Sequence, residues 1–247
     1  MIEFIDIHKA FGSKVILKGV SISVDTGQVL YIVGASGAGK SVLVKHLVGL
    51  LKPDKGQIIL DGQDVTKLDE KGFYPVREKC AMVFQHSTLF DSMSLVDNVS
   101  LPLRKHFGMT PEQAREGAMA KLALVQMDGQ ADRFPADIGD GLRKRVAIAR
   151  ALTLKPRYII FDEPTTGLDP LAASRVDELI KSLRAEAGVT AIVVSHDLRS
   201  IFSVADRIAM IYQGQILLDG TPTEFRASDN PIVHQYINGL PEGPMVV

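Results

Sequence analysis

Eight consecutive residues, Gly34, Ala35, Ser36, Gly37, Ala38, Gly39, Lys40 and Ser41, match the spacing G-x-x-x-x-G-K-[ST] in full. Small residues let backbone N–H groups curl around an anion, a lysine at this place reaches β- and γ-phosphates, and the next hydroxyl ligates Mg²⁺. The spacing predicts a nucleotide site. Far downstream, Tyr158-Ile159-Ile160-Phe161 runs straight into Asp162 and Glu163. Two carboxylates at the end of a buried strand suit a division of labour: Asp162 holds the Mg²⁺ shell, and Glu163 polarises the water that attacks the γ-phosphate. By itself such a pair is equally an ordinary strand end; beside the loop at 34–41 the chemical role is favoured. A third apolar run, Ala191-Ile192-Val193-Val194, ends at Ser195-His196-Asp197. His196 thus leaves a core strand where it can contact the γ-phosphate and orient the water.

These residues need a scaffold that brings strand ends together. Val29-Leu30-Tyr31-Ile32-Val33 reads as a buried strand entering the glycine-rich loop, and Val42 to Val48 as the helix that leaves it, positive end toward the phosphates. The chain of 247 residues fits one α/β domain with an inserted subdomain, with no linker, low-complexity tract or internal repeat. A net charge of −1, from 28 basic and 29 acidic residues, gives no global reason to expect nucleic acid as a partner. One cysteine, Cys80, rules out an internal disulfide framework and is expected to be a buried small hydrophobe; the six histidines show no metal-ligand spacing. The N-terminus alternates like a strand and lacks the features of a signal peptide. Nowhere do 18 apolar residues run together, so a soluble chain is expected, with any membrane role left to other subunits.

In order and spacing these segments resemble the nucleotide-binding subunits of ATP-binding cassette (ABC) transporters over nearly the whole chain. The resemblance implies an α/β P-loop NTPase fold of the ABC type: a mainly parallel sheet, an antiparallel β portion near the N-terminus and an inserted helical subdomain. One domain would span 1–247, with a catalytic core at about 1–88 and 156–225, the helical subdomain at about 89–155 and a tail at about 226–247. In the family's terms Gly34 to Ser41 is similar to Walker A, with ATP contacts running on to Val42, and Tyr158 to Glu163 is similar to Walker B plus the catalytic glutamate. Gln85, in Val83-Phe84-Gln85, matches the Q-loop glutamine, which with Ser41 and Asp162 would serve Mg²⁺. The D-loop falls at Thr166 to Asp169, including Gly167, Leu168 and Asp169, and His196 matches the switch histidine. Phe11 occupies the place of the aromatic that stacks on adenine; without the resemblance a core or hairpin aromatic would be the default reading.

One motif departs from the family. The helix Arg143 to Leu152 fixes the register of the signature Leu-Ser-Gly-Gly-Gln, which here reads Ile138-Gly139-Asp140-Gly141-Leu142. In the family this loop meets the γ-phosphate of ATP held by the opposite subunit, through a serine hydroxyl, backbone N–H groups and a helix N-terminus. Loss of the hydroxyl at Gly139 forfeits a charge-assisted hydrogen bond of about 1.5–3 kcal/mol. A carboxylate at Asp140 facing phosphate would cost about 3 kcal/mol at 5 Å and an effective dielectric of ~20, less whatever Arg143, Lys144 and Mg²⁺ offset. Asp140 also suits a helix N-cap, where it would occupy the N–H groups that ATP needs. Both readings predict slowed but not abolished hydrolysis.

Between Gln85 and the signature, Asp91 or Ser94 is expected to open a short helix ended by Pro102, and Thr110-Pro111-Glu112-Gln113 a second one with a capping box. In the family, the groove beside the Q-loop takes a cytoplasmic helix of the membrane subunit. Leu89 to Ser94, Asp97 to Val99, Leu101 to Arg104 and the tail Gln235 to Pro244 further resemble the ATPases of Mla/Mce-type lipid transport systems. That resemblance implies a second ATPase subunit, a multi-span permease, an Mce-type lipid-binding protein, a possible STAS-domain subunit, and a cytoplasmic place on the inner face of the membrane. A polar amino-acid importer ATPase and an ATP-binding switch or assembly subunit with little turnover stay open as alternatives. Gly and Pro in the tail argue against a helix beyond about Ile237.

Overall fold

The computed structural model describes residues 1–245, the side chains of 186 and 187 excepted; the last two residues of the expected tail lie outside the described residues. Its strands are β1 (Ile2–Phe11), β2 (Lys14–Val24), β3 (Val29–Val33), β4 (Lys55–Leu60), β5 (Gln63–Asp64), β6 (Cys80–Val83), β7 (Tyr158–Asp162), β8 (Thr190–Val194), β9 (Arg207–Tyr212) and β10 (Gln215–Gly220). Its helices are α1 (Lys40–Leu47), α2 (Phe73–Lys79), α3 (Leu95–Phe107), α4 (Pro111–Leu124), α5 (Asp140–Leu152), α6 (Pro170–Ala187), α7 (Leu198–Val204), α8 (Pro222–Arg226) and α9 (Pro231–Ile237).

The strands form two sheets. An antiparallel sheet near the N-terminus has the order β2-β1-β4-β5, and a six-stranded sheet has the order β10-β9-β3-β8-β7-β6. In the second, β9, β3, β8, β7 and β6 run parallel, and only β10 is antiparallel. This is the expected mainly parallel core with an antiparallel portion. The parallel strands are apolar throughout because both of their faces are covered. Their alternation divides the core in two. Val29, Tyr31, Val33, Ile159, Phe161, Ala191 and Val193 face one cluster, shared with α3 to α7. Leu30, Ile32, Tyr158, Ile160, Ile192 and Val194 face the other, closed by α1, α2 and the antiparallel sheet. Cys80 lies in this second cluster, and burial pushes its thiol up to about 12.

Helices α3, α4 and α5 pack on one another, and Val96, Val99, Leu122 and Ile148 join the first cluster. The helical part therefore has no separate core. Ser94 caps α3 by accepting from Asp97 N, and Thr110 with Gln113 forms the expected capping box at α4. Pro102 does not end α3. The helix continues through it to Gly108, which closes it at φ 60. An interior proline costs roughly 3 kcal/mol in lost hydrogen bonding and steric conflict, and burial of Leu95, Val96, Val99 and Leu103 on this helix outweighs that cost.

Candidate active site

Four neighbouring parallel strands deliver the predicted residues to one edge of the sheet. In the order β3, β8, β7, β6, their carboxyl ends lead into the glycine-rich loop, His196, Glu163 and Gln85. Ligands of open α/β sheets bind outside the carboxyl ends of the strands for this reason: loops and helix N-termini converge there. A cleft of about 900 Å³ lies at this edge, lined by Phe11, Gly34, Ser36, Lys40, Ser41, Val42, Gln85, Glu163 and His196 among others.

The loop is held from within. Gly34 has φ 139, and a Cβ there would lie 2.2 Å from the Ile211 carbonyl oxygen, so only glycine fits. Gly39 caps α1 in the left-handed region without a side-chain hydrogen bond, and the first turn of α1 holds no acidic residue. Bare N–H groups at a helix start favour an anion. Lys40 Nζ donates to Gly34 O at 2.8 Å and Ala35 O at 2.9 Å, which leaves its third proton for a phosphate. Burial holds the Lys40 ammonium below the usual lysine range, with Glu163 and Asp162 acting in the opposite sense. Ser41 Oγ donates to Asp162 Oδ1 at 2.6 Å, and Asp162 is buried. A buried carboxylate with an adjacent hydroxyl is a hard oxygen set that fits Mg²⁺, whose other ligands come from phosphate and water. No group of three or more His, Cys, Asp or Glu side chains that could hold a metal ion occurs among the described residues.

Glu163 takes φ 54 at the end of β7, its N–H donating to Val194 O at 2.9 Å. Its Oε2 accepts from Thr166 Oγ1 at 2.9 Å and lies 2.9 Å from His196 Nδ1. The sequence places Thr166 only at the start of the D-loop; its hold on Glu163 emerges from the turn after β7. Phe11 stands exposed at the β1–β2 hairpin, with Lys9 Nζ 5.4 Å from its ring centroid. Gln85 is exposed at the rim.

Residues 138–142 lie elsewhere. Among the described residues lining the cleft none comes from this loop, which instead shares a second depression with Gly167, Leu168 and Asp169. One expectation needs correction. Asp140 is not the cap of α5: Gly139 is, with no side-chain hydrogen bond, and Asp140 opens the first turn with its side chain 75% exposed. An extended Gly139 already turns the chain into the helix, so the carboxylate points away and meets Arg143 at 3.5 Å. Lys144 is buried and donates within its own chain to Glu163 O at 2.9 Å and Thr166 O at 3.0 Å, tying α5 to the turn after β7. Burial holds the Lys144 ammonium below the usual lysine range, with the charges of Glu163 and Asp140 acting in the opposite sense. Asp169 caps α6 by accepting from Leu171 N and Ala172 N, both at 2.9 Å.

The cleft also contains residues that sequence reasoning did not place there. Gln235, Tyr236, Gly239, Leu240 and Met245 line it from the C-terminal segment. The resemblance of the tail from Gln235 to lipid-transport ATPases marked this segment but says nothing of where it docks.

Comparisons with known proteins agree with this geometry. The family model described as ABC transporter matches residues 17–166. The probable ribonucleotide transport ATP-binding protein mkl of Mycobacterium tuberculosis is 38% identical over 99% of this chain and 68% of its own length. The intermembrane phospholipid transport system ATP-binding protein MlaF of Escherichia coli strain K12 is 34% identical over 99% of this chain and 91% of its own. Among solved structures, a dimeric ATP-binding cassette in a post-hydrolysis state bound to ADP and Pi superposes with a TM-score of 0.82 at 30% identity, covering 90% of this chain and 99% of that one. CbiO1 of Clostridium perfringens, part of an ABC transporter complex, gives 0.84 at 28% identity, over 97% and 95%. With its nucleotide loop, paired carboxylates and histidine on one sheet edge, the chain belongs to the ABC transporter family as an ATP-binding, ATP-hydrolysing subunit.

Proposed function

We propose that this ATPase subunit energises the movement of phospholipid, or another hydrophobic substrate, between membranes. The observation that carries the enzymatic part is the convergence of Gly34 to Ser41, Glu163 and His196 on one cleft. Support for the cargo comes from MlaF, which this chain matches over almost its full length, and from the lipid-transporter likeness of Leu89 to Ser94 and the tail. Relatives named for ribonucleotide transport make a nucleotide cargo the second arm of the test.

In the proposed cycle the amides of 34–41 and the third proton of Lys40 bind the β- and γ-phosphates, and Phe11 stacks on adenine. Ser41, Asp162 and Gln85 would hold Mg²⁺, which supplies charge neutralisation on the transferred phosphoryl group. Glu163 accepts the proton of the attacking water. Its Oε2 is engaged by Thr166 and by His196, the latter 2.9 Å away; release of His196 would free that oxygen for the water and the histidine for the γ-phosphate. The missing donor for the outer face of ATP is the 138–142 loop of a second copy, the two chains meeting head to tail as a homodimer. A multi-span permease then sits on the groove beside Gln85, with an Mce-type lipid-binding protein and a STAS-domain subunit as further partners. The chain works at the cytoplasmic face of the membrane; among the described residues no helix is long and apolar enough to cross one. Exposed Asp140, paired with Arg143 at 3.5 Å, slows hydrolysis by its charge, and Gly139 by the hydroxyl it lacks.

The test is reconstitution with the permease in proteoliposomes. ATP-dependent transfer of labelled phospholipid to acceptor vesicles, absent with Glu163→Gln, supports the reading; uptake of nucleotides or polar amino acids in its place assigns the cargo otherwise.

A further inference from the structure

Gly34 is held on both sides of its backbone. Its carbonyl accepts from Lys40 Nζ at 2.8 Å, and its N–H donates to Tyr236 Oη at 3.3 Å. Lys40 belongs to the loop's own motif, whereas Tyr236 arrives on α9, 202 residues further along the chain. Contact with the Ile211 carbonyl leaves Gly34 no room to drift toward β9. The Tyr236 hydroxyl is pushed up to about 12, by burial first and by the charge of Glu163 in addition, so at neutral pH it keeps its proton and still offers a lone pair.

A seven-residue helix such as α9 has little stability of its own, so its neighbours decide where Tyr236 points. Val233 anchors it in the core. Gln235, also buried, binds the segment that follows: Oε1 accepts from Met245 N at 2.7 Å, and Nε2 donates to Leu240 O at 3.4 Å. Gly243 packs so closely that a Cβ on it would lie 2.3 Å from Gln235 Oε1. Met245 is thereby buried against the wall of the nucleotide cleft.

We infer that Tyr236 is a positioning residue for ATP: the segment 235–245, folded back on its own chain's cleft, sets the entry of the phosphate-binding loop through the Tyr236 hydroxyl. Tyr236 acts through the Gly34 amide and not on the nucleotide. The inference rests on reading Gly34 to Ser41 as the ATP site.

Tyr236→Phe keeps the ring and removes the acceptor. In the full chain, the dissociation constant for mant-ATP and KM for ATP should each rise about three- to tenfold, the scale of one neutral hydrogen bond, with kcat and the thermal midpoint nearly unchanged. Gln235→Leu, which releases Met245 but leaves the hydroxyl, should give the same KM-only signature in smaller measure. Wild-type KM in Tyr236→Phe, or a loss shared equally by kcat and thermal stability, overturns the inference in favour of plain packing. Lys40→Ala serves as the control: if it too binds mant-ATP normally, the ATP site itself is misassigned, a failure distinct from that of Tyr236.

Discussion

Helices α1 and α5 begin alike and are equipped in opposite ways. Each follows a glycine, Gly39 or Gly139, that makes no side-chain capping hydrogen bond, so each presents bare N–H groups. The first turn of α1 carries no acid and begins with Lys40; that of α5 begins with Asp140. Beside the start of α1, Lys40 is engaged with two loop carbonyls, Ser41 with Asp162, and Glu163 with Thr166 and His196. At α5 the corresponding carboxylate is exposed, and Asp140 pairs with Arg143 at 3.5 Å. The helix start proposed for phosphate is preorganised within one chain; the other would be completed by the second copy of the proposed dimer.

Four substitutions test how far that contrast extends. The largest effect belongs to Glu163→Gln, which retains an acceptor for Thr166 but cannot take up a proton. Steady-state phosphate release should fall by ~10²–10⁴ while ATP stays bound, and normal turnover would remove Glu163 from its role. Next, Lys40→Ala should weaken ATP binding about 10- to 100-fold, the scale of lost charge-assisted contacts; titration with a fluorescent nucleotide reads this directly. The double substitution Gly139→Ser, Asp140→Gly should raise the ATPase rate of the dimer by about 10-fold, the low end for one regained charge-assisted bond. An unchanged rate there would show that the departure at α5 carries no kinetic consequence and that the two helix starts differ only in appearance. Smallest is Thr166→Val, which frees one side of Glu163 and should lower kcat about two- to tenfold with KM for ATP unchanged; a loss in KM instead would place Thr166 with the binding residues around α1.

Much of the cleft was legible because its parts are short and local. The loop at 34–41, the strand into Asp162 and Glu163, and the strand into His196 each announce themselves within a few residues, and the structure lines up all three at one edge. Capping at Ser94, Thr110 and Ile237's helix end was equally readable, since caps depend on neighbours in sequence. Pro102 misled because a proline's local cost is outvoted by the packing of α3 on α4 and α5, which no window of sequence displays. The contacts of Lys144 were hidden for a similar reason: only the fold brings the turn after β7 close enough to bury it and accept from it.

By itself, then, the sequence named the candidates for the proposed chemistry, the loop at 34–41 for phosphate and Glu163 for the base, and it determined that the signature loop lacks its serine. Residue type and close spacing suffice there, because those contacts lie along a strand end and the helix or turn after it. Tertiary structure alone decided which groups act on those side chains from a distance. His196 on Glu163, Lys144 beneath the same turn, and Tyr236 on Gly34 arise from the order of strands and the docking of α5 and α9. That order is fixed by burial summed over the whole sheet, a cooperative quantity that no short segment contains.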